Sequence, residues 1–288
     1  MYAFNSLDAK KIDLIMKVFY DVCKLCGAAT EQINQKFSLL KCESCKLVFS
    51  EFIFEQKDFE ETYNTLYNAA NPKYKTHSVI EYEQIKNGIY NIGYNRKRLI
   101  NKYIHSDAKI LEIGSGNGLV GCYIRNKFPQ STFTGIELDR EIGEKARSFD
   151  LNIITGDFSV MQNIEEEYDF VLMWEVLEHI QDLKKCIHLI AKRLRIGGKF
   201  IFSVPNFEKR KNFKNYGDLI FQDGPPIHLN FFTEESIKEI FNSDEFQLLK
   251  IEKKKFPYFN LDSFKKMFLK IITLRYEGST LFCVVEKV

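Results

Sequence analysis

The chain has 288 residues, of which 45% are hydrophobic and 28% charged, and this composition excludes a disordered or collagen-like protein. Its 41 Lys and Arg and 39 Asp and Glu leave a formal charge of +2, too balanced to indicate nonspecific attraction to nucleic acid or anionic lipid. The amino-terminal segment lacks the apolar core of a secretory signal, and no run approaches the roughly 20 apolar residues of a membrane span. We therefore expect a cytoplasmic protein without stable membrane insertion.

Two C-x-x-C pairs mark the amino-terminal region. Cys23 pairs with Cys26 and Cys42 with Cys45, and the residues between the pairs suffice for a short hairpin. This spacing is typical of tetrahedral zinc held by four thiolates, which leaves no coordination position open to water. Because a segment of about 30 residues gains little stability from burial, the metal should fold it. We predict a structural zinc ribbon in residues 1–50.

Two further regions follow the predicted ribbon. Residues 51–105 mix Tyr, Asn, Glu and Lys with scattered apolar positions and are predicted to form connecting helices. Residues 106–288 alternate β-rich runs with helical patterns, which is typical of βαβ units around a parallel sheet. The predicted strands are Lys109–Ile113, Thr132–Glu137, Leu151–Thr155, Phe170–Trp174, Lys199–Val204, Phe246–Glu252 and Thr280–Glu286. Helices are predicted over Leu119–Phe128 and from an N-cap at Thr233 to near Asn242, and an amphipathic insertion over 256–275.

A glycine-rich loop follows the first predicted strand. It comprises Glu112, Gly114, Ser115, Gly116, Asn117 and Gly118. Glycines at this position let the backbone approach a ligand. Glu137 ends the second strand, at the distance from the loop where an acid binds both ribose hydroxyls of a nucleoside. Leu119 stands where the dinucleotide fingerprint needs glycine, so the pattern favours a nucleoside without a pyrophosphate.

The next two predicted strands end close to the same ligand. Asp157 follows the third strand and can accept from an adenine amino group, while Phe158 covers a face of the base. The fourth strand leads into the segment Trp174–His179, which places carboxylates and an imidazole beside the reactive end. The alternative is a flavodoxin-like fold in which these acids are incidental.

These motifs together resemble the class I S-adenosylmethionine-dependent methyltransferases over roughly residues 95–288. The matching segments are E-x-G-x-G-x-G at Glu112–Gly118, Gly135–Glu137, Gly156–Phe158, Tyr168–His179 and Leu194–Phe200. The resemblance implies an α/β fold with a Rossmann-like seven-stranded sheet, parallel with an antiparallel last strand, and helices on both faces. The complete expected fold adds the small amino-terminal zinc ribbon.

The resemblance also assigns parts of S-adenosylmethionine to residues. The glycine loop would cradle the methionine end, Glu137 would bind the ribose, and Asp157 with Phe158 would bind the adenine. The remaining candidates for cofactor binding are Leu138, Trp174 and Glu175. Residues 106–288 would then be the cofactor-binding domain, and residues 51–105 would wall the acceptor site.

Methyl transfer requires an acceptor held in line with the methyl group, and a hydroxyl or carbon acid also needs a base. His228 lies in a P-P-x-H-x-x-F-F-T segment that resembles one recurrent in methyltransferases of surface-sugar and secondary-metabolite pathways. We predict His228 as the base; the alternative is a histidine that packs within its loop.

A second histidine raises a separate alternative. Glu175, Glu178 and His179, with a downstream histidine, resemble the E-x-x-E-H arrangement that binds a divalent ion in ubiquinone-pathway O-methyltransferases and small-RNA ribose methyltransferases. Carboxylates and imidazoles suit such an ion. Glu175 and His179 are therefore the other catalytic candidates, against the alternative of a helix-capping Glu and a packed His179.

The acceptor is predicted from the ribbon. Zinc ribbons precede such domains in two kinds of enzyme, which methylate deoxysugars or polysaccharides, or bases of ribosomal RNA. Here the ribbon carries few aromatic residues among its lysines, which is unfavourable for RNA recognition. We predict a small-molecule acceptor, such as a sugar nucleotide or a surface-polysaccharide or secondary-metabolite precursor, with no nucleic-acid partner; a homo-oligomer is compatible. The alternatives are an RNA methyltransferase and a catalytically silent cofactor-binding subunit.

Overall fold

The computed structural model describes residues 18–35, 37–59, 72–210, 224–254 and 277–288. The predicted insertion at 256–275 lies outside these residues, as does part of the predicted connecting region. None of the helices within the described ranges is both long enough and apolar enough to cross a bilayer.

The amino-terminal half of the chain contains small strands, then helices, then the first strands of a large sheet. In chain order these are β1 (Val18–Phe19), β2 (Thr30–Asn34), β3 (Leu39–Cys42), β4 (Val48–Ser50), β5 (Phe52–Ile53), α1 (Pro72–Lys86), α2 (Tyr94–Tyr103), β6 (Lys109–Ile113), α3 (Leu119–Lys127), β7 (Thr132–Glu137), α4 (Arg140–Arg147) and β8 (Asn152–Thr155).

The second half completes the alternation. It contains a 3-10 helix (Phe158–Asn163), β9 (Tyr168–Trp174), a 3-10 turn (Leu177–His179), α5 (Leu183–Arg193), β10 (Leu194–Pro205), α6 (Phe207–Arg210), β11 (Asn230–Phe231), α7 (Glu234–Phe241), β12 (Phe246–Lys254) and β13 (Glu277–Lys287). Each helix that follows a parallel strand returns the chain to the opposite end of the sheet.

Seven strands form one mixed sheet in the order β12-β13-β10-β9-β6-β7-β8. Strands β6 to β10 pair in parallel, and β13 lies antiparallel between β10 and β12. The predicted sheet with its antiparallel last strand is therefore confirmed. Strands β9, β10, β12 and β13 are longer than predicted, and the difference is largest for β10. Strand β10 begins at Leu194 and continues past Gly197, whose φ of +75° permits an irregularity in the pairing.

Alternation along the strands divides the apolar core between the two faces of the sheet. Leu111, Val171 and Phe202 belong to one buried cluster, and Ile110, Leu172 and Ile201 belong to the other. The first cluster also contains Cys42 and other buried residues of the amino-terminal region, so the predicted ribbon shares a core with the large sheet. Both faces are covered, as in other parallel sheets.

A second, four-stranded sheet contains the predicted hairpin between the two cysteine pairs. Its order is β11-β4-β3-β2, with β2 and β3 forming the hairpin. Strand β11 pairs antiparallel with β4 through Asn230 opposite Phe49 and Phe231 opposite Val48. The sheet of the predicted ribbon is thus completed by residues that lie about 180 positions later in the chain. The boundaries at residues 50 and 105 remain predictions.

The predicted amino terminus of the helix after β11 is confirmed. Thr233 is the N-cap of α7, and its side chain accepts a hydrogen bond from the Ser236 amide while Ser236 bonds back to the Thr233 amide. This reciprocal pair satisfies two amides that an uncapped helix would leave unpaired. The cap fixes the exit of the chain from β11 and so helps to hold the preceding loop.

Candidate functional site

Parallel register brings the predicted site residues to one edge of the large sheet. Ile113 lies opposite Ile136 on one side and Met173 on the other, so β6, β7 and β9 end together. Glu137 lies opposite Thr155, which brings the end of β8 to the same edge. The glycine loop, the acid of β7 and the segments after β8 and β9 therefore border one crevice, where ligands of such sheets bind.

The glycine loop is held against β7 by its own backbone. The amides of Gly114 and Ser115 both donate to the Ile136 carbonyl, at 2.8 and 3.0 Å. Gly114 has a φ of +74°, and a Cβ at this position would lie 2.5 Å from Cγ2 of Val176. Glycine is required here for both its conformation and the close approach of the chain after β9.

Glu137 is fixed by the loop that it faces. Its Oε2 accepts from the Gly116 amide at 2.8 Å and its Oε1 from the Asp139 amide at 2.9 Å. Burial raises the pKa of Glu137, and these two hydrogen bonds act in the opposite direction. Each carboxylate oxygen has a second lone pair, so Glu137 can still accept from two hydroxyl groups of a ligand.

Glu112 is a buried carboxyl group under the loop. It is 2% exposed, and burial raises its pKa well above the ordinary value, aided by Glu137 and Glu81, while Arg96 opposes the shift. Within the described residues, Glu112 Oε2 and the buried Oγ of Ser115 have no hydrogen-bond partner. Orphaned polar atoms at a crevice indicate that a ligand or water completes their bonding.

Arg96 lies beside Glu112 and Trp174 and is a candidate site residue that the sequence patterns did not indicate. Its guanidinium group lies 5.4 Å from the centroid of the Trp174 ring, and its charge acts on Glu112. On the same side, Asn117 Nδ2 lies 3.5 Å from Oε2 of Glu81. One cation beside one buried carboxyl suits the zwitterionic end of an amino acid. No spacing rule connects α1 and α2 to the loop, and only the position of α2 immediately before β6 was a signal.

The predicted adenine residues lie at the end of β8. Asp157 is exposed, and its Oδ1 accepts from the Ser159 amide at 2.9 Å, so it caps the 3-10 helix that Phe158 begins. Phe158 is half-buried and packs against the core. Leu138 is 66% exposed at the end of β7, which is high for an apolar side chain. These positions are compatible with a base held between the two segments, which remains a prediction.

Three residues after β9 and before β11 form a compact polar group. The ligand atoms of Glu178, His179 and His228 all lie within 4.8 Å of one another. The two imidazole rings meet edge to face at 4.7 Å, and Nδ1 of His179 lies 2.7 Å from the Ile227 carbonyl, to which it donates. When the ring is neutral, this bond leaves the lone pair on Nε2, which lies 4.0 Å from Oε1 of Glu178.

Glu175 is the remaining residue of the predicted ion-binding set. It stands at the bend after β9, with a φ of +54° and its amide donating to the Ser203 carbonyl. The group of mutually close ligand atoms contains His228 and not Glu175. Glu178, His179 and the downstream histidine of the predicted set, His228, thus lie together, whereas the ion-binding role of Glu175, at the bend before the 3-10 turn, stays a prediction.

The four predicted metal ligands do lie together. The Sγ atoms of Cys23, Cys26, Cys42 and Cys45 are within 4.8 Å of one another. Cys23 and Cys45 are 3.6 Å apart and Cys26 and Cys42 3.5 Å, close to the roughly 3.8 Å expected between thiolates on one tetrahedral zinc. The hydrogen bond from Cys45 lowers the pKa of Cys23 to about 5 and raises that of Cys45. The donor set and spacing fit a structural zinc ion.

The buried carboxyl group gives a stability prediction. Since the folded-state pKa of Glu112 is raised above its ordinary value of 4.5, the group destabilises the folded chain as pH rises above that value. Glu112→Gln should therefore raise the melting temperature of the ligand-free protein at pH 7. The gain should shrink toward pH 4.5 and be absent in the matched variant of the exposed Glu167, Glu167→Gln. Thermal denaturation from pH 4.5 to 8 measures it, and an unchanged or lowered melting temperature for Glu112→Gln contradicts it.

Comparison with known proteins supplies relatives of this region. A family of methyltransferase domains matches residues 86–251. A ubiquinone biosynthesis O-methyltransferase of Hydrogenovibrio crunogenus is 33% identical over 119 residues, which are 39% of this chain and 47% of that protein. A malonyl-[acyl-carrier protein] O-methyltransferase of Priestia megaterium is 25% identical over 179 residues, 56% of this chain and 65% of that protein. The chain thus spans less than two thirds of the length of these relatives.

Solved structures share the fold. A chain in the complex of the Haloferax volcanii Trm112 methyltransferase activator with a methyltransferase has a TM-score of 0.54 and 16% identity, covering 74% of this chain and 95% of its own. A plantazolicin methyltransferase has a TM-score of 0.52 and 14% identity, covering 78% and 93%. Because the family match spans more than half of the chain, this protein belongs to the methyltransferase-domain family, with the class I S-adenosylmethionine-dependent fold.

Proposed function

We propose that the chain transfers the methyl group of S-adenosylmethionine to an oxygen atom of a small molecule. The observation that carries the proposal is the crevice in which the glycine loop, Glu137 and two orphaned polar atoms, Glu112 Oε2 and Ser115 Oγ, lie at one sheet edge. The O-methyltransferase relatives support an oxygen acceptor. A sugar nucleotide, or a surface-polysaccharide or secondary-metabolite precursor, is the proposed substrate class.

The residues divide the cofactor among them. Glu112 and Arg96 hold the amino-acid end, Glu137 accepts from the ribose hydroxyls, and Asp157 with Phe158 binds the adenine. The bound cofactor supplies an electrophilic methyl group on a sulfonium. The chain holds the acceptor in line with that methyl, and such positioning contributes about 7 to 11 kcal/mol to lowering the barrier.

His228 is the proposed base. His228 is 8% exposed and lies on the chain segment just before β11, where its ring contacts the ring of His179. Removal of an acceptor hydroxyl proton by the His228 imidazole increases the nucleophilicity of the acceptor oxygen. Base assistance of this kind contributes about a hundredfold to ten-thousandfold in rate. The alternative role for Glu178, His179 and His228 is to hold a divalent ion. Loss of activity on treatment with EDTA distinguishes ion binding from the base role.

RNA is the less favoured acceptor because the three ribbon lysines within the described residues, Lys24, Lys41 and Lys46, have partners within the protein. Lys41 pairs with Glu235 at 3.8 Å, and the Lys46 ammonium donates to the Glu43 carbonyl. The Lys24 ammonium lies 5.7 Å from the centroid of the Phe49 ring. Charges held in this way are poorly placed to neutralise phosphates, which supply most of the affinity for nucleic acid.

Glu137→Ala tests the cofactor assignment. Loss of charged hydrogen bonds to the ribose should weaken S-adenosylhomocysteine binding about tenfold to a hundredfold. Glu141→Ala is the matched control, because Glu141 is exposed on α4 and pairs with Lys145. Isothermal calorimetry measures both affinities, and equal affinity for Glu137→Ala and the wild type removes Glu137 from the site.

The zinc assignment is tested by metal analysis. Purified protein should contain about one zinc per chain, since four thiolates close a tetrahedral site. Cys42→Ser should lose the metal and the folded amino-terminal sheet, whereas Cys122→Ala, which changes a buried cysteine outside the group, should keep the metal. A wild-type protein that folds without metal contradicts the proposed ribbon.

Labelled methyl transfer tests the reaction and the acceptor together. Label from S-adenosylmethionine should appear in a low-mass, nuclease-resistant product of a nucleotide-sugar and metabolite extract. His228→Ala should lower this label about a hundredfold or more while cofactor affinity is retained, and His188→Ala, at an exposed position of α5, should not.

Three outcomes of this assay favour other functions. Nuclease-sensitive label in total RNA identifies an RNA methyltransferase, and cofactor binding without label in either pool identifies a silent subunit. The third outcome is that EDTA abolishes turnover without removing the structural zinc, and that added Mg²⁺ restores it. This result shows that Glu178, His179 and His228 hold a divalent ion.

A further inference from the structure

The small sheet of the amino-terminal region reaches the histidine group through the segment 227–231. We propose that Asn230 is a positioning residue that couples this sheet to Glu178, His179 and His228, so that the predicted ribbon sets the geometry at the acceptor end of the site. The inference rests on the proposed function, in which the histidine group faces the acceptor.

A short path of backbone hydrogen bonds connects β4 to the 3-10 turn Leu177–His179. The amide of Ser50, the last residue of β4, donates to the Leu229 carbonyl at 2.9 Å. The amide of Leu229 in turn donates to the Glu178 carbonyl at 2.8 Å. One residue therefore bonds to the small sheet with its carbonyl and to the turn with its amide.

The Asn230 side chain closes the same turn. Its Nδ2 donates to the carbonyls of Leu177 at 3.0 Å and Ile180 at 2.8 Å, which flank Glu178 and His179. Two carbonyl partners fix the orientation of the amide, because its oxygen could not make these bonds. The backbone of Asn230 pairs with Phe49 of β4. A single residue thus belongs to the small sheet and holds both ends of the turn.

The position of Asn230 is costly for the fold. The residue is 1% exposed, and within the described residues its buried Oδ1 has no hydrogen-bond partner. An unsatisfied buried acceptor lowers stability, so an apolar residue of similar size would be the better choice for packing alone. The two bonds to the turn are therefore the function of the side chain.

The histidines depend on the same segment. His179 donates Nδ1–H to the Ile227 carbonyl, three residues before Asn230, and this bond fixes the orientation of the imidazole ring. His228 lies between Ile227 and Leu229, and its ring contacts His179 at 4.7 Å between centroids. A displacement of β11 relative to the turn would move both imidazoles at once.

A second connection runs in parallel. The amide of Phe54, just after β5, donates to Oε1 of Gln181 at 2.8 Å, and Nε2 of Gln181 donates to the Phe54 carbonyl at 2.9 Å. Gln181 lies two residues after His179, the last residue of the turn. The amino-terminal region is therefore connected to the turn through Asn230 and to the segment just after it through Gln181.

The test compares Asn230→Ala and Asn230→Leu with the wild-type protein in its metal-bound form. Leu keeps the size of the side chain and introduces no buried charge, but it cannot donate to the two carbonyls, so a packing role predicts wild-type behaviour for Leu and a positioning role does not. Hydrogen exchange followed by mass spectrometry should show about tenfold faster exchange for peptides covering 177–181 in both variants. Peptides covering β6 and β7 should be unchanged, and Asn152→Ala, which removes a single side-chain bond at the far edge of the sheet, should match the wild type throughout.

Enzyme kinetics distinguish a positioning role from a purely structural one, because only a positioning role lowers kcat while the affinity for the cofactor is unchanged. With the metabolite extract as acceptor, both variants should lose about tenfold or more in kcat, because the histidine group is misplaced. The KM for S-adenosylmethionine and the calorimetric affinity for S-adenosylhomocysteine should stay within twofold of the wild type. Gln181→Ala removes the second connection and should likewise lower kcat without changing the affinity for the cofactor. It replaces Asn230→Ala as the test variant if Asn230→Ala does not fold.

Wild-type exchange and kcat in Asn230→Leu overturn the inference. The inference is also overturned if the variants lose cofactor affinity and if exchange becomes faster in β6 and β7 as well, because the substitution then destabilises the whole domain. The proposed function fails differently: wild-type protein that neither binds S-adenosylhomocysteine nor transfers label contradicts it, whatever the exchange of the 177–181 segment shows.

Discussion

The parallel pairing of β6 with β7 on one side and β9 on the other is the constraint on which the rest of the site depends. It brings three strand ends to one edge, and each end contributes a different group: backbone amides from the glycine loop, a carboxylate from Glu137, and the turn that carries His179. Because the strands are fixed by ladder hydrogen bonds and by apolar clusters on both faces, these groups are positioned before any ligand arrives.

Much of this was predictable from the sequence because the signals are local. A strand followed at once by glycines, or a Thr followed by two Glu residues that favour the first turn of a helix, is a pattern of only a few positions. The seven strands, the cap at Thr233 and the pairing of the two cysteine motifs were predicted from such patterns, and the structure confirms them. Strand positions predict much of the topology because βαβ connections permit only a few arrangements of the strands.

The remaining features involve contacts between distant positions, and short patterns carry no information about them. Nothing in Asn230–Phe231 reads as a strand, since two residues have no detectable alternation; only the edge of β4 makes them one. Arg96 resembled an ordinary charge on a helix until α2 was placed beside Trp174. The identity of the downstream histidine in the histidine group, His228, has the same origin, because a linear motif does not show which distant loop packs against it.

The completion of the small sheet by β11 has a consequence for how this protein can be rearranged. A cysteine-rich segment at a chain terminus looks like a module that could be exchanged between relatives. Here one of its four strands is encoded beyond residue 224, between the histidine and the helix that follows. Transplanting residues 18–53 alone would leave an open strand edge on both fragments, a hazard for aggregation. Residues 18–53 and strand β11 must therefore be exchanged together, because recombination that separates them removes one strand from the small sheet.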